Sequence, residues 1–159
     1  MNSLMQQMGD VLIQTQTLRQ QLNGVIDSSD LSYSPGGDSP TLGNLYRQLG
    51  ETTQQYIEGF KTFKHSYEPV STDAALETDL NALDTWLTEL EQSLNSILSD
   101  FSEEILQTQL IDRGYGLQFP IVVNVQVYRE ALLIFCAKVS IYLRALGKEL
   151  PEQWKLWIS

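Results

Sequence analysis

Residues 120 to 147, PIVVNVQVYREALLIFCAKVSIYLRALG, constrain the fold more than any other stretch, because they are apolar on nearly every side of a helix. Pro120 is preorganised for a first helical turn and Gly147 suits a left-handed C-cap, so a helix of about seven turns fits between them. A helix without a polar face sits inside a bundle, with partners on most sides, or spans a membrane. Arg129, Glu130 and Lys138 interrupt the run, and no window reaches the roughly 18 uninterrupted apolar residues of a spanning segment. The expectation is a central bundle helix and no membrane partner.

Upstream, Leu4, Met8, Val11, Thr15, Leu18, Leu22 and Ile26 recur at spacings of three and four among Gln, Asn and Asp, which predicts an amphipathic helix over residues 3 to 27. The run DSSDLSYSPGGDSP stops it and leaves a loop long enough to cross the end of a bundle. Ser39 as N-cap, with Pro40 in the first turn, opens a second helix through Leu42, Leu45, Leu49, Tyr56, Phe60 and Phe63 that should end between Lys64 and Tyr67. Ser71-Thr72-Asp73 offers the next cap. From there Leu76, Leu80, Leu83, Leu87, Leu90, Leu94 and Ile97 alternate by four and three, a packing seam for helices of this chain or for a foreign helix.

Residues 100 to 119 lose that period, and EILQTQLI and YGLQF flank Asp112-Arg113-Gly114 as the arms of a short hairpin would. After Gly147, Trp154 and Trp157 are expected to pack back on the bundle. The reading is all-α: a four-helix bundle with a short irregular or hairpin segment between the third and fourth helices. The short link between the second and third helices predicts antiparallel neighbours, and the longer links permit crossovers.

At 159 residues and 42% hydrophobic, the chain fits one domain over 1–159. The start, MNSLMQQMGDVLIQ, has no basic-then-apolar signal pattern, and Cys136 is the only cysteine, so a reducing cytoplasm is the expected compartment. In its apolar surroundings Cys136 reads as a small buried hydrophobe. The net charge is −10, and no Lys or Arg occurs between Lys64 and Arg113. A surface that repels phosphates disfavours a nucleic-acid partner.

No Gly-rich phosphate loop, HExxH, paired CxxC or nucleophile elbow occurs. His65, the single histidine, lies in FKTFKHSYEP, where it reads as a cationic cap or surface side chain or else as a catalytic base. One histidine cannot build a histidine metal site.

The ending YLRALGKELP, within ALLIFCAKVSIYLRALGKELP at residues 131 to 151, resembles the last helix of DinB-like proteins. SPTLGNLYRQLGETTQQYI, residues 39 to 57, is similar to the second helix of that superfamily, which includes bacillithiol- and mycothiol-dependent S-transferases. The resemblance covers nearly the whole chain and implies a four-helix bundle that is often a homodimer. Many members bind a divalent metal through one histidine on the second helix and an HxxxH pair on the fourth. Aligning on LRALG places those positions at Gln48, Ala131 and Phe135, none of which replaces an imidazole. The resemblance therefore implies a vestigial site, with no metal and no cofactor expected.

Helical spacing sets Asn124, Tyr128, Ala131, Phe135, Lys138 and Tyr142 on one broad face of the fourth helix, and Gln48, Glu51, Thr52 and Gln55 on one side of the second. The ligand-pocket candidates are Gln48, Glu51, Gln55, Asn124, Tyr128, Lys138 and Tyr142. Buried polar groups need partners, so the set reads as a structural network in a repacked core or as a metal-free ligand pocket. Two functions remain: a non-catalytic protein that binds a small ligand or a protein partner, and a thiol-dependent S-transferase-like enzyme working without the usual metal. Val123, Val127, Ile134 and Ile141 fall on faces that one bundle does not fully cover, which points to a homodimer.

Overall fold

A computed structural model describes residues 1–158 of the chain. Four long helices carry it: α1 (Ser3–Asn23), α2 (Leu42–Thr62), α3 (Leu80–Asp100) and α5 (Ile121–Ala145). Between α3 and α5 lie a short helix, α4 (Glu103–Thr108), and an antiparallel hairpin of β1 (Leu110–Asp112) and β2 (Gln118–Pro120), registered Ile111 opposite Phe119. The last element is α6 (Glu152–Ile158). The architecture is the expected all-α bundle with a hairpin before its last long helix. No helix among the described residues is long and apolar enough to cross a membrane.

Side-chain caps set most of the helix starts. Asn2, Thr41, Asp79 and Ser102 accept from the backbone N–H groups of Met5, Asn44, Ala82 and Ile105, each satisfying a donor with no intrahelical partner. Several expected boundaries move accordingly. Thr41, rather than Ser39, opens the second helix. Asp73 caps only a 3-10 turn at Ala74–Thr78, and α3 starts after Asp79. EILQT of the expected first hairpin arm is helical, because Ser102 caps it and Glu103 and Glu104 favour its N-terminal dipole. The first helix stops at Asn23, short of residue 27. Its buried face runs through Leu12, while Val11 is exposed.

At α5 both terminal signals hold. Pro120 is the residue before the first turn, and Gly147, at φ 72, lets its own N–H and that of Lys148 donate back to the Arg144 and Leu143 carbonyls.

The leucine seam of α3 is filled from within the chain. Leu83, Leu87, Leu94 and Leu98 are buried against neighbours on α1, α2 and α5, with Leu98 rather than Ile97 as the last of the run. Along the α2/α3 contact a methyl at Gly43 would strike the Glu77 carbonyl and one at Gly50 the Trp86 ring, Phe63 meets Phe101, and both helices therefore run the same way. This corrects the antiparallel expectation. Residues 63 to 79 do not turn sharply but return along α2 as an extended strap.

The strap is fastened to α2 at four levels. Gln55 donates to the Glu68 carbonyl at 2.9 Å, the Thr72 hydroxyl donates to Glu51 at 2.5 Å, Arg47 pairs with Glu77 at 2.7 Å, and Asn44 donates to Glu77 at 2.8 Å. The loop from Gly24 to Thr41 then crosses one end of the bundle and the α4–hairpin segment crosses the other. α1 lies between α3 and α5, and α2 lies diagonally opposite. The buried side chains form two apolar clusters, one at the crossover-loop end around Leu22, Leu42, Leu87 and Leu143, the other at the hairpin end around Leu4, Phe60, Leu98 and Val125. Trp154 is buried in the first and its Nε1 donates to the Leu18 carbonyl at 3.3 Å; the side chain of Trp157 lies outside the described residues.

Candidate functional site

α2 and α5 meet along a shallow groove of about 230 Å³, lined by Gln48, Thr52, Ala131, Ile134, Phe135 and Lys138. All three residues at the aligned metal-ligand positions therefore lie in one place. Phe135 is 5% exposed and its ring stands edge-on to Tyr46 at 4.9 Å, so it forms an apolar floor. Gln48 is exposed and donates to Asn44 Oδ1 at 2.7 Å on its own helix. Lys138 is exposed as well, with no ion pair among the described residues.

The other candidates are not brought to this groove. Glu51 and Gln55 turn toward the strap and fasten it. Tyr128 is 1% exposed beneath the helices, 3.4 Å from the Thr53 hydroxyl, and burial holds its phenol well above the ordinary value. Tyr142 donates to the Pro40 carbonyl at 2.8 Å and pins the crossover loop. Asn124 donates to the Phe119 and Pro120 carbonyls and anchors the hairpin. One broad helical face predicts common orientation, but α5 is 25 residues long, and these side chains meet different structures along it. Of Gln48, Tyr128 and Lys138, only Tyr128 is buried.

Two polar clusters escaped the sequence reading. The first surrounds His65, which is buried and not a cationic cap at the helix end. Phe63 adopts φ 56 and ends α2, after which the His65 N–H donates to the Asp112 carbonyl at 2.8 Å and turns the imidazole inward. It packs 4.8 Å from the rings of both Tyr56 and Tyr67, and Arg113 lies over both tyrosines while donating to Asn124 at 3.0 Å. Burial, and then the Arg113 charge, push the imidazole down to about 4, so His65 is neutral at pH 7.

The second cluster is a buried ion pair between α1 and α3. Arg19 is 0% exposed, and its guanidinium donates to both carboxylate oxygens of Glu91 at 2.7 and 3.0 Å and to Asp84 at 3.0 Å. Burial opposes that charge, but the hydrogen bonds and charges of Glu91 and Asp84 outweigh it and hold Arg19 charged. The signal was present in the spacing. Arg19 follows Leu12, Thr15 and Leu18 on the buried face of α1, and Glu91 sits between Leu87 and Leu94 in the seam. Cys136 is also fully buried, and burial pushes its thiol up to about 12.

No protein-family model matches the sequence, nor does any curated protein. Among solved structures, a crystal structure of YjoA, a DinB-like protein from Bacillus subtilis, superposes with a TM-score of 0.67 at 20% identity, over 89% of this chain and 95% of that one. The chain has the DinB-like fold. Within that DinB-like frame, the residues at the α2/α5 groove do not suit a divalent cation. Ala131 offers no donor atom, Phe135 offers a ring, and Gln48 offers only one amide oxygen. Among the described residues, no three of His, Cys, Asp or Glu converge on a point where an ion would sit.

Proposed function

We propose that this chain is a single-domain, cytoplasmic, non-catalytic member of the DinB-like superfamily that uses the α2/α5 groove to bind a small ligand or a protein partner. The observation that carries the reading is the Phe135 ring on Tyr46. It fills the place where the resemblance puts an imidazole, and it leaves an apolar floor with Gln48 and Lys138 as polar rims. Such a surface recognises shape and a few polar groups, and its lining includes no carboxylate, imidazole or thiol. The alternative, a metal-free thiol transferase, draws on the exposed Lys138 ammonium, which could attract a thiolate.

Elemental analysis tests the absence of metal that both readings share, and thermal-shift titration with low-molecular-weight thiols, together with an assay of electrophile consumption, separates the two. The expected result is no stoichiometric Zn, Ni or Fe and no thiol-dependent stabilisation. A saturable shift with a thiol, accompanied by consumption of the electrophile and with both abolished by Lys138→Met, would establish the transferase in its place.

The same face supports an assembly. Ile134 and Ile141 are 57% and 62% exposed on α5, whereas Val123 and Val127 are half-buried. A symmetric homodimer that covers the two isoleucines is the expected state, and light scattering should give twice the chain mass. A monomer across micromolar concentrations overturns this assignment.

A further inference from the structure

The polar cluster at the hairpin end presents donors and almost no acceptors. Arg113 directs three of its five N–H groups to neutral oxygens: the hydroxyls of Tyr67 at 3.2 Å and Tyr56 at 3.5 Å, and Asn124 Oδ1 at 3.0 Å. The other N–H groups stay open, and no carboxylate pairs with the guanidinium among the described residues. The tyrosine rings lie 5.5 and 5.8 Å from its central carbon, which orients the charge without cancelling it. Tyr67 is 59% exposed, and because its oxygen accepts from Arg113, its own O–H is left to donate outward. His65 is 7% exposed; its ring nitrogens make no hydrogen bond among the described residues, yet they are not sealed from solvent. The neutral imidazole therefore offers one N–H.

Neighbouring carboxylates do not take up these donors. In the extended strap Ser66, Glu68 and Val70 line a cleft toward α3, whereas His65 and Tyr67 alternate with them and meet each other beside Arg113. Asp112 accepts from the Gly114 N–H, and its charge is offset by Lys64, which is paired with it across the backbone. The local balance is one positive charge, on a protein whose net charge is −10. Salt screens more distant carboxylates over about 8 Å, so the contact at Arg113 decides what binds.

We infer that this cluster is a binding site for the carboxylate group of a small organic acid, seated on the open edge of Arg113 with the Tyr67 hydroxyl and the His65 N–H as further donors. Donors without a matching acceptor select an anion, and a guanidinium edge fits the planar, two-oxygen carboxylate. A phosphate dianion is disfavoured, because one positive charge leaves it uncompensated on an acidic chain. The site is distinct from the α2/α5 groove, since Tyr56 lies about 12 Å beyond Gln48 along α2.

The test uses the full chain at pH 7 and benzoate, followed by NMR of the backbone, the Arg113 Nε and the His65 ring, with benzylamine and inorganic phosphate as comparisons. His65 is the only histidine, so a single ring signal reports on the site. Benzoate should give saturable shifts centred on His65, Tyr67 and Arg113 with a midpoint of about 5 mM or below, as befits so small a ligand. Benzylamine should give none, and phosphate should bind at least about tenfold more weakly. Arg113→Gln should weaken benzoate binding about tenfold or more. Tyr67→Phe, at an exposed position, should weaken it about threefold with the other resonances unmoved, and it decides alone if Arg113→Gln disturbs the hairpin. No saturable response to benzoate, an equal response to benzylamine, phosphate bound as tightly, shifts centred on Gln48 and Phe135, or binding unchanged by Tyr67→Phe would each overturn the assignment.

Discussion

An Arg19→Met variant is expected to lose about 3 to 5 kcal/mol of folding stability, while Arg19→Met combined with Glu91→Leu recovers most of that loss. The reason lies in what each substitution leaves behind. In the single variant the Glu91 carboxylate, 5% exposed, keeps its desolvation cost and loses both guanidinium hydrogen bonds. Gln20 Nε2 at 3.4 Å is too weak a donor to replace them. In the double variant nothing charged remains at the centre of the α1/α3 contact, and two apolar side chains of similar volume pack there. Asp84 contributes less, because half of its side chain is exposed and Asn23 also donates to it at 2.6 Å. Urea unfolding of wild type, the Arg19→Met and Glu91→Leu single variants and the double variant measures the cycle; an Arg19→Met loss under about 1 kcal/mol would mean that water reaches Glu91.

Acidification should destabilise the protein through His65. Its folded-state value lies near 4 against 6.5 for an ordinary histidine, so between those limits the unfolded chain binds a proton that the folded chain does not. Stability from this group is fully present above pH 6.5 and is lost as the pH falls toward 4, by up to about 3 kcal/mol. Carboxylates titrate over part of the same range, and a comparison isolates the histidine. Between pH 7 and pH 4 the stability difference between wild type and His65→Gln should move in favour of the variant by that amount. An NMR titration in which the His65 ring protonates near pH 6.5 in the folded state would contradict the burial argument.

The parts of the fold that were legible in the sequence are those decided locally. Pro120 and Gly147 bracket α5 because one residue presets φ and the other permits a left-handed turn, whatever surrounds them. The leucines of α3 announce their buried face by spacing alone. The direction of α3 relative to α2 was not legible. A link of this length can turn back or run the length of a helix, and the outcome depends on Gly43 and Gly50 admitting Glu77 and Trp86, contacts that no local pattern records.

The candidate site divided along the same line. Gln48, Ala131 and Phe135 do converge, since helix register is local, but register could not show that Glu51 and Gln55 are engaged by a strap that arrives from elsewhere. His65 was misplaced for a related reason: its inward turn is set by the Asp112 carbonyl, far along the chain.

The shared direction of α2 and α3 also bears on the electrostatics of the two bundle ends. With α1 and α5 running together and opposite to them, each end gathers two helix starts and two helix finishes. The partial charges of about half a unit at these termini therefore offset one another at both ends. Neither end concentrates the positive potential by which bundled helix starts trap phosphates, so any long-range field of this molecule comes from its charged side chains, whose balance is −10.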